Sequence, residues 1–189
     1  MSCDESAIRI ETSRLILREF DTDDHSQVHA YASDPEVVLY EPWGPNSQED
    51  TREFVRRALT ARQVTPRVQM ELAVTLKPEL TIIGGCGIRL NDPLDKNAEL
   101  GYCFARLFWG KGYATEAAQQ LLKVGFEVLG AHRIIATCDP RNLASVRVLE
   151  KIGMRREAHF KEHKWVKGKW RDSLLYAILD HEWLALGSG

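Results

Sequence analysis

A strand–helix–strand pattern over residues 98–138 constrains the fold more than any other part of the sequence. Residues 98–105 (AELGYCFA) and 132–138 (HRIIATC) have the apolar, aromatic and β-branched composition of strands. Between them, apolar residues recur at helical spacing over about 113–129. Two strands joined through a crossover helix lie parallel and are connected in a right-handed sense. The sequence therefore predicts a parallel strand pair.

The other segments predict hairpin-connected strands and flanking helices. Strands are expected at 8–20, 68–76, 80–90, 154–166 and 170–179, and helices at about 21–33, 47–62 and 142–151. The glycines at positions 84, 85 and 87 predict an irregular strand. We expect one α/β domain over residues 1–189, with a tail at 187–189. Its sheet should be mixed and mostly antiparallel, with a central parallel pair and flanking helices.

Composition excludes several classes of protein. The formal net charge of −2 is not that of a general nucleic-acid binder, so no specific nucleic-acid binding is expected. No apolar run is long enough to span a membrane. The first residues do not read as a secretory signal, which leads us to expect a cytoplasmic protein. The four cysteines have no metal-site spacing, so they are expected to be reduced thiols and no metal is expected.

Residues 108–117 (FWGKGYATEA) place two glycines and a lysine where the crossover helix begins. A helix N-terminus offers unpaired N–H groups and a partial positive charge, and glycines let a phosphate approach the backbone. This pattern is consistent with a diphosphate site, and equally with a simple tight turn. It lacks the third small residue of a dinucleotide fingerprint and the spacing of a Walker loop, which disfavours a nucleotide-binding enzyme.

The stretches AELGYCFARLFWGKGYATEA and HRIIATCDPRNLASVRVLEKIGM, together with TSRLILREF and WRDSLLYAIL, resemble the GNAT acyltransferase superfamily. Within it, the chain is similar to the branch of RimJ/RimL-type N-acetyltransferases of ribosomal proteins. The resemblance covers nearly the whole chain. It implies transfer of an acetyl group from acetyl-CoA to a primary amine, such as a protein N-terminus or a small-molecule amine. Attack would be direct, in a ternary complex.

The resemblance also implies which residues contact acetyl-CoA. They are Phe104, Trp109, Gly110, Lys111, Gly112, Tyr113, Ala114, Thr115, Asn142 and Ser145. Trp109 stands where the family usually has Arg or Gln, which removes a polar side chain but leaves the backbone donors. The backbone N–H of Phe104 is the candidate donor to a developing oxyanion. Asn142 could act equally as a helix cap.

Two side chains are the candidates for catalysis. Glu99 could take the proton of the incoming amine, and Ser145 could protonate the departing thiolate. The alternatives are a surface glutamate paired with a base and a serine that makes only a local bond. Many superfamily members use a tyrosine on this helix, but position 149 here is Leu.

Charge is distributed unevenly along the chain. The first fifty residues carry twelve acids and three Lys or Arg, whereas 155–171 carry seven Lys or Arg and two Glu. An acidic half could attract a cationic acceptor and the basic segment an acidic partner, although ordinary solvated faces explain both. Tyr40 and Trp43, in the 39–47 loop, are expected to line the acceptor pocket. A monomer or homodimer is expected, and a non-catalytic acyl-CoA-binding module is the alternative function.

Overall fold

Residues 8–187, which the computed structural model describes, build one eight-stranded sheet in the order β1–β2–β3–β4–β5–β6–β8–β7. The strands are β1 (Arg9–Glu11), β2 (Leu15–Glu19), β3 (Gln69–Leu76), β4 (Thr81–Asp92), β5 (Asn97–Phe104), β6 (Arg133–Cys138), β7 (Arg155–Val166) and β8 (Lys169–Leu179). The helices are α1 (His25–Ala32), α2 (Gln48–Ala61), α3 (Tyr113–Lys123), α4 (Leu143–Lys151) and α5 (Asp180–Leu186).

The predicted parallel pair is confirmed. β5 runs parallel to β6, and every other neighbouring pair in the sheet is antiparallel. The α3 crossover connects the two parallel strands, as the sequence pattern required. The predicted irregularity of β4 is also confirmed, because its register with β3 shifts between Val74 and Thr75, opposite Ile82 and Gly84.

Helices cover both faces of the sheet, and so the central strands are buried on both sides. Leu72, Ala73 and Val74 of β3 are all fully buried. Leu72 and Val74 pack in one core with α3, whereas Ala73 packs in a second core with α1 and α2. Successive side chains of a strand point to opposite faces, so one strand supplies both cores.

The structure differs from the sequence predictions in three places. Residues 8–20 form two strands, because the turn at 12–14 pairs β1 with β2. The helix after β5 changes to a π-helical turn at Val124–Val128, where a Cβ on Gly125 would lie 2.5 Å from Ile88 and Ile134. Helix α5 was not foreseen. Ser188 and Gly189 of the expected tail, and Cys3, lie outside the described residues.

No helix within residues 8–187 has both the length and the apolar character needed to cross a bilayer.

Candidate active site

The loop between β5 and α3 presents backbone N–H groups at the start of a helix. Gly110 and Gly112 adopt left-handed dihedrals, with φ of 72° and 83°. The N–H of Glu116 bonds the Gly112 carbonyl at 3.1 Å, and the helix N–H groups before it have no partner within the helix. A Cβ added at Gly110 would meet no heavy atom within 4 Å. The loop therefore offers donors and space to an anion.

Two side chains of this loop contact the protein itself. The indole N–H of Trp109 donates to the Phe104 carbonyl at 2.7 Å. The Lys111 ammonium lies 5.5 Å from the centroid of the Phe108 ring. Trp109 thus fastens the loop to the end of β5, and its indole N–H is already used. Contact of these two residues with a cofactor stays a prediction.

The parallel strands separate immediately before this loop. β5 pairs with β6 only from Asn97 to Glu99. Farther on, β5 remains paired with β4, and the N–H of Ala105 donates to the Ile83 carbonyl at 2.9 Å. Successive N–H groups of a strand point to opposite edges, so the N–H of Phe104 faces the opening between β5 and β6. An extended ligand arm could add to this open edge.

A cavity of about 980 Å³ lies beside the opening. It brings together five of the residues that the sequence analysis selected, namely Tyr40, Trp43, Glu99, Asn142 and Ser145. Phe104 and the loop residues Trp109–Thr115 are not among its lining residues. The candidate site thus has two parts, the loop between β5 and α3, which is a candidate for binding an anion, and a cavity. The end of β5 lies between them.

Glu99 lies half-buried on the cavity wall, near the point where β5 leaves β6. Its carboxylate accepts a hydrogen bond from the Thr137 hydroxyl at 3.4 Å. Among residues 8–187, no Lys, Arg or His forms an ion pair with it. The structure therefore does not bear out the alternative of a surface glutamate paired with a base.

Ser145 meets a tyrosine that the sequence analysis overlooked. The Tyr102 hydroxyl lies 3.0 Å from Ser145 Oγ, and both residues line the cavity. Burial raises the pKa of Tyr102, which outweighs the opposite effect of the Ser145 hydrogen bond. The phenol therefore keeps its proton at neutral pH. The amide oxygen of Asn142 accepts from the Ser145 N–H at 3.1 Å, which confirms the predicted helix cap.

Two further carboxylates in the cavity were also missed. Burial raises the pKa of Glu41, against the opposing effects of Lys167, Lys164 and a hydrogen bond to Trp43. Burial likewise raises the pKa of Glu71, whose carboxylate accepts from the Gln69 amide at 3.0 Å. Only their burial in the folded chain distinguishes these glutamates from the others, so no local sequence signal reveals them.

The cavity is acidic overall. Seven carboxylate side chains line it, against four Lys or Arg side chains. The carboxylates belong to Glu41, Asp50, Glu53, Glu71, Glu99, Asp139 and Asp172, and the cations to Arg57, Arg89, Lys164 and Arg171. A site with this balance attracts cations more readily than anions.

The β7–β8 hairpin holds the loop that carries Tyr40 and Trp43. Lys167 donates from Nζ to the Val38 carbonyl at 2.6 Å, and Arg171 donates to the Leu39 carbonyl at 2.8 Å. Arg171 is buried, so its bond to the loop is shielded from water. Trp43 remains 37% exposed at the cavity rim. An incoming ligand could therefore contact its ring.

Within residues 8–187, no group of three His, Cys, Asp or Glu side chains is arranged to hold a metal ion. His159 bonds Asp172 at 2.8 Å, while the ring of His163 is tilted by 37° against the ring of Phe160, with 4.8 Å between their centroids. A register shift between Phe160 and Lys164 separates the two histidines.

Comparison with known proteins gives a consistent result. Residues 14–155 match the family model described as an acetyltransferase (GNAT) domain. The chain is 39% identical over 176 residues to the uncharacterised N-acetyltransferase YnaD of Bacillus subtilis, covering 93% of this chain and 99% of that protein. It is 40% identical to the crystal structure of a GNAT-family acetyltransferase from Bacillus anthracis, with a TM-score of 0.83 and coverage of 92% and 99%.

A more distant structure shares the fold. It is RimL, a ribosomal L7/L12 α-N-protein acetyltransferase in complex with coenzyme A, with 21% identity, a TM-score of 0.80 and coverage of 91% and 98%.

Proposed function

Because the chain belongs to the GNAT acetyltransferase family, we propose that it transfers the acetyl group of acetyl-CoA to the primary amine of a protein N-terminus or a small molecule. The amine attacks directly while both substrates are bound, without a covalent acyl-enzyme. Relatives named N-acetyltransferases favour an enzyme over a non-catalytic acyl-CoA-binding module.

The loop and the open edge of β5 fit an acyl-CoA. Gly110 and Gly112 leave room for a diphosphate beside the N–H groups of Tyr113, Ala114 and Thr115. The open edge at Phe104, together with the Asn142 amide, suits a pantetheine arm. The bound acetyl-CoA supplies an activated thioester carbonyl, and RimL, which shares the fold, is described in complex with coenzyme A.

Glu99 is the group proposed to deprotonate the acceptor. An α-amine titrates near pH 8 and a lysine-type amine near 10.4, so the acceptor arrives mostly as an ammonium ion. Glu99 has no competing cation as an ion-pair partner within residues 8–187. It can therefore accept the proton directly or through a water molecule.

Tyr102 and Ser145 are the pair proposed to protonate the leaving thiolate. A CoA-type thiol has a pKa near 8.5, so a proton donor assists its departure. The buried Tyr102 phenol remains protonated and lies 3.0 Å from the Ser145 hydroxyl. Either hydroxyl can give its proton to the sulfur while the other passes its own proton to the first, and the oxyanion that remains regains a proton from solvent. The N–H of Phe104, directed to the strand opening, is proposed to stabilise negative charge on the carbonyl oxygen.

The lining of the cavity supports a cationic acceptor. Its excess of carboxylates raises the local concentration of ammonium ions, while Tyr40 and Trp43 offer aromatic faces at the rim. RimL is described as acting on a protein α-amine, which makes a protein N-terminus a reasonable first acceptor to test.

The proposal rests mainly on one observation, that Glu99 and the Tyr102–Ser145 pair line the same cavity. The test begins with melting curves of the purified protein in acetyl-CoA, with ATP and NADH as controls. We expect the melting temperature to rise only with acetyl-CoA. At an acetyl-CoA concentration of a hundred times the dissociation constant, binding stabilises the folded protein by about 2.7 kcal/mol. Thiol release with a panel of amines then identifies the acceptor. A shift with nucleotides alone, or no thiol release with any amine, would reject the proposal.

A further inference from the structure

The turn between β1 and β2 is bonded to the first turn of α3. The Glu116 carboxylate accepts hydrogen bonds from the Thr12 hydroxyl at 2.5 Å, the Arg14 N–H at 3.2 Å and the Arg14 side chain at 2.7 Å. More than a hundred residues of chain separate Thr12 from Glu116.

Arg14 also reaches the loop between β5 and α3. Its NH1 donates to the Lys111 carbonyl at 2.9 Å, and its guanidinium lies 4.6 Å from the centre of the Tyr113 ring. Its NH2 lies 3.4 Å from the point where a Cβ on Gly112 would stand. One planar group thus contacts both ends of the Lys111–Tyr113 turn and Glu116.

The hydrogen bond from Arg14 to the Lys111 carbonyl fixes the direction of the Gly112 N–H. In a trans peptide, the carbonyl and the following N–H point in opposite directions. Because Arg14 holds the Lys111 carbonyl on its own side, the Gly112 N–H must face away from Arg14. Gly112 has φ of 83°, a region in which glycine can turn either way at low cost. Without a fixed carbonyl, this peptide could flip and present oxygen instead of N–H.

The ion pair with Glu116 has an electrostatic consequence. Glu116 lies in the first turn of α3, where its negative charge would oppose a bound anion. Arg14 lies within 2.6 Å of that carboxylate, while its side chain stays 45% exposed. The guanidinium therefore offsets the repulsion that the Glu116 carboxylate would exert on an anion bound at the start of the helix.

We propose that Arg14 is a positioning residue for the diphosphate of acetyl-CoA, holding the Lys111–Gly112 peptide and Glu116 so that the loop presents N–H groups to the anion. The inference rests on the proposed function of this loop. A purely structural clamp would make the same contacts, but it would not distinguish ligands with a diphosphate from ligands without one.

The test uses Arg14→Ala, Arg14→Lys and the control Arg9→Ala, in the full chain. Arg9 is exposed and paired with Glu11 in the same N-terminal hairpin, away from the loop. Calorimetry measures the dissociation constants of CoA, which has the diphosphate, and of S-acetylpantetheine, which lacks it. Steady-state kinetics give kcat and both KM values, and circular dichroism verifies that each variant is folded.

We expect Arg14→Ala to weaken CoA binding at least tenfold and to raise the KM for acetyl-CoA equally. Affinity for S-acetylpantetheine, kcat and the KM for the amine should stay within twofold. Arg14→Lys should restore little, because an ammonium cannot hold a carbonyl and a carboxylate in one plane. Arg9→Ala should behave as the wild type.

Equal losses for both ligands, no loss for either, or full rescue by Arg14→Lys would overturn the inference. If Arg14→Ala does not fold, the affinities of Arg14→Lys for CoA and S-acetylpantetheine test the inference instead. Failure of the wild-type protein to bind CoA is a separate result. It would reject the proposed function of the loop, and with it the role of Arg14.

Discussion

The hydroxyl groups of Tyr102 and Ser145 lie 3.0 Å apart and join β5 to α4 at the opening in the sheet. The tyrosine comes from a strand and the serine from the helix that follows β6. Position 149 on that helix is a buried leucine. Tyr102 therefore brings a phenol to the cavity from another element.

Replacement of this phenol should impair the chemical step. Tyr102→Phe is expected to lower kcat by about 10²-fold or more, since general acid catalysis contributes 10²–10⁴. The dissociation constant of acetyl-CoA should change little. Tyr176→Phe is the matched control, because Tyr176 is buried and bonds Glu150 away from this pair. Rates of thiol release give the comparison, and an unchanged kcat would exclude Tyr102 as proton donor.

Glu99→Gln should cause a loss that depends on pH. At neutral pH the acceptor is protonated and needs a base, so kcat should fall by about 10²-fold. As the pH approaches the pKa of the acceptor, more free amine is present and the loss should shrink. Glu79→Gln, in the exposed β3–β4 turn, is the control. A loss that stays constant across the pH profile would argue against Glu99 as the base.

Glu71→Gln should stabilise the free protein at neutral pH. Burial raises the pKa of Glu71 above 4.5 in the folded state, so the native chain binds a proton more readily than the unfolded chain. Wild-type stability then decreases as the pH rises above that value. We expect the variant to melt about 2–4 °C higher than the wild type at pH 7, equivalent to roughly 1 kcal/mol. Near pH 4 the two proteins should melt at the same temperature.

Glu53→Gln is the control, because the pKa of Glu53 is shifted in the opposite direction to that of Glu71. A hydrogen bond from Arg56 holds the pKa of Glu53 below its usual range, so this variant should show no gain at pH 7. A lower melting temperature of Glu71→Gln at pH 7 would contradict the assignment of a destabilising buried charge.

Gly110→Ala and Gly168→Ala should separate a stability effect from a binding effect. Both glycines have positive φ, 72° and 77°, and a Cβ at either one meets no heavy atom within 4 Å. Both variants should therefore lose a similar stability, about 1 kcal/mol. Only Gly110→Ala should weaken acetyl-CoA binding, about tenfold by calorimetry. If the two variants bind acetyl-CoA with equal affinity, Gly110 does not belong to the proposed diphosphate site.

The sequence predicted those features that depend on local pattern. The parallel pair, the irregular β4 and the cap at Asn142 follow from strand composition, glycine placement and the preference of Asn for helix starts. The division of residues 8–20 into two strands does not follow from local pattern, because the turn at 12–14 is bonded to Glu116, about a hundred residues away.

The site was predicted in part for the same reason. Glu99 and Ser145 stood in stretches that resemble a family, and both line the cavity. Tyr102 lies in the same stretch as Glu99, but there it reads as an ordinary strand residue. Glu41 and Glu71 lie in segments that read as a loop and a strand. Their importance arises from burial and from neighbours that only the folded chain supplies.

The bonds from Lys167 and Arg171 to the Val38 and Leu39 carbonyls span 129 and 132 residues of sequence. The loop bearing Tyr40 and Trp43 is therefore synthesised well before the hairpin that fixes it. A nascent chain ending before residue 167 would contain Glu99, Tyr102 and Ser145 but not this anchor. The wall of the cavity is therefore completed only after the β7–β8 hairpin has been synthesised, so a chain that ends earlier should not hold the loop with Tyr40 and Trp43 in place.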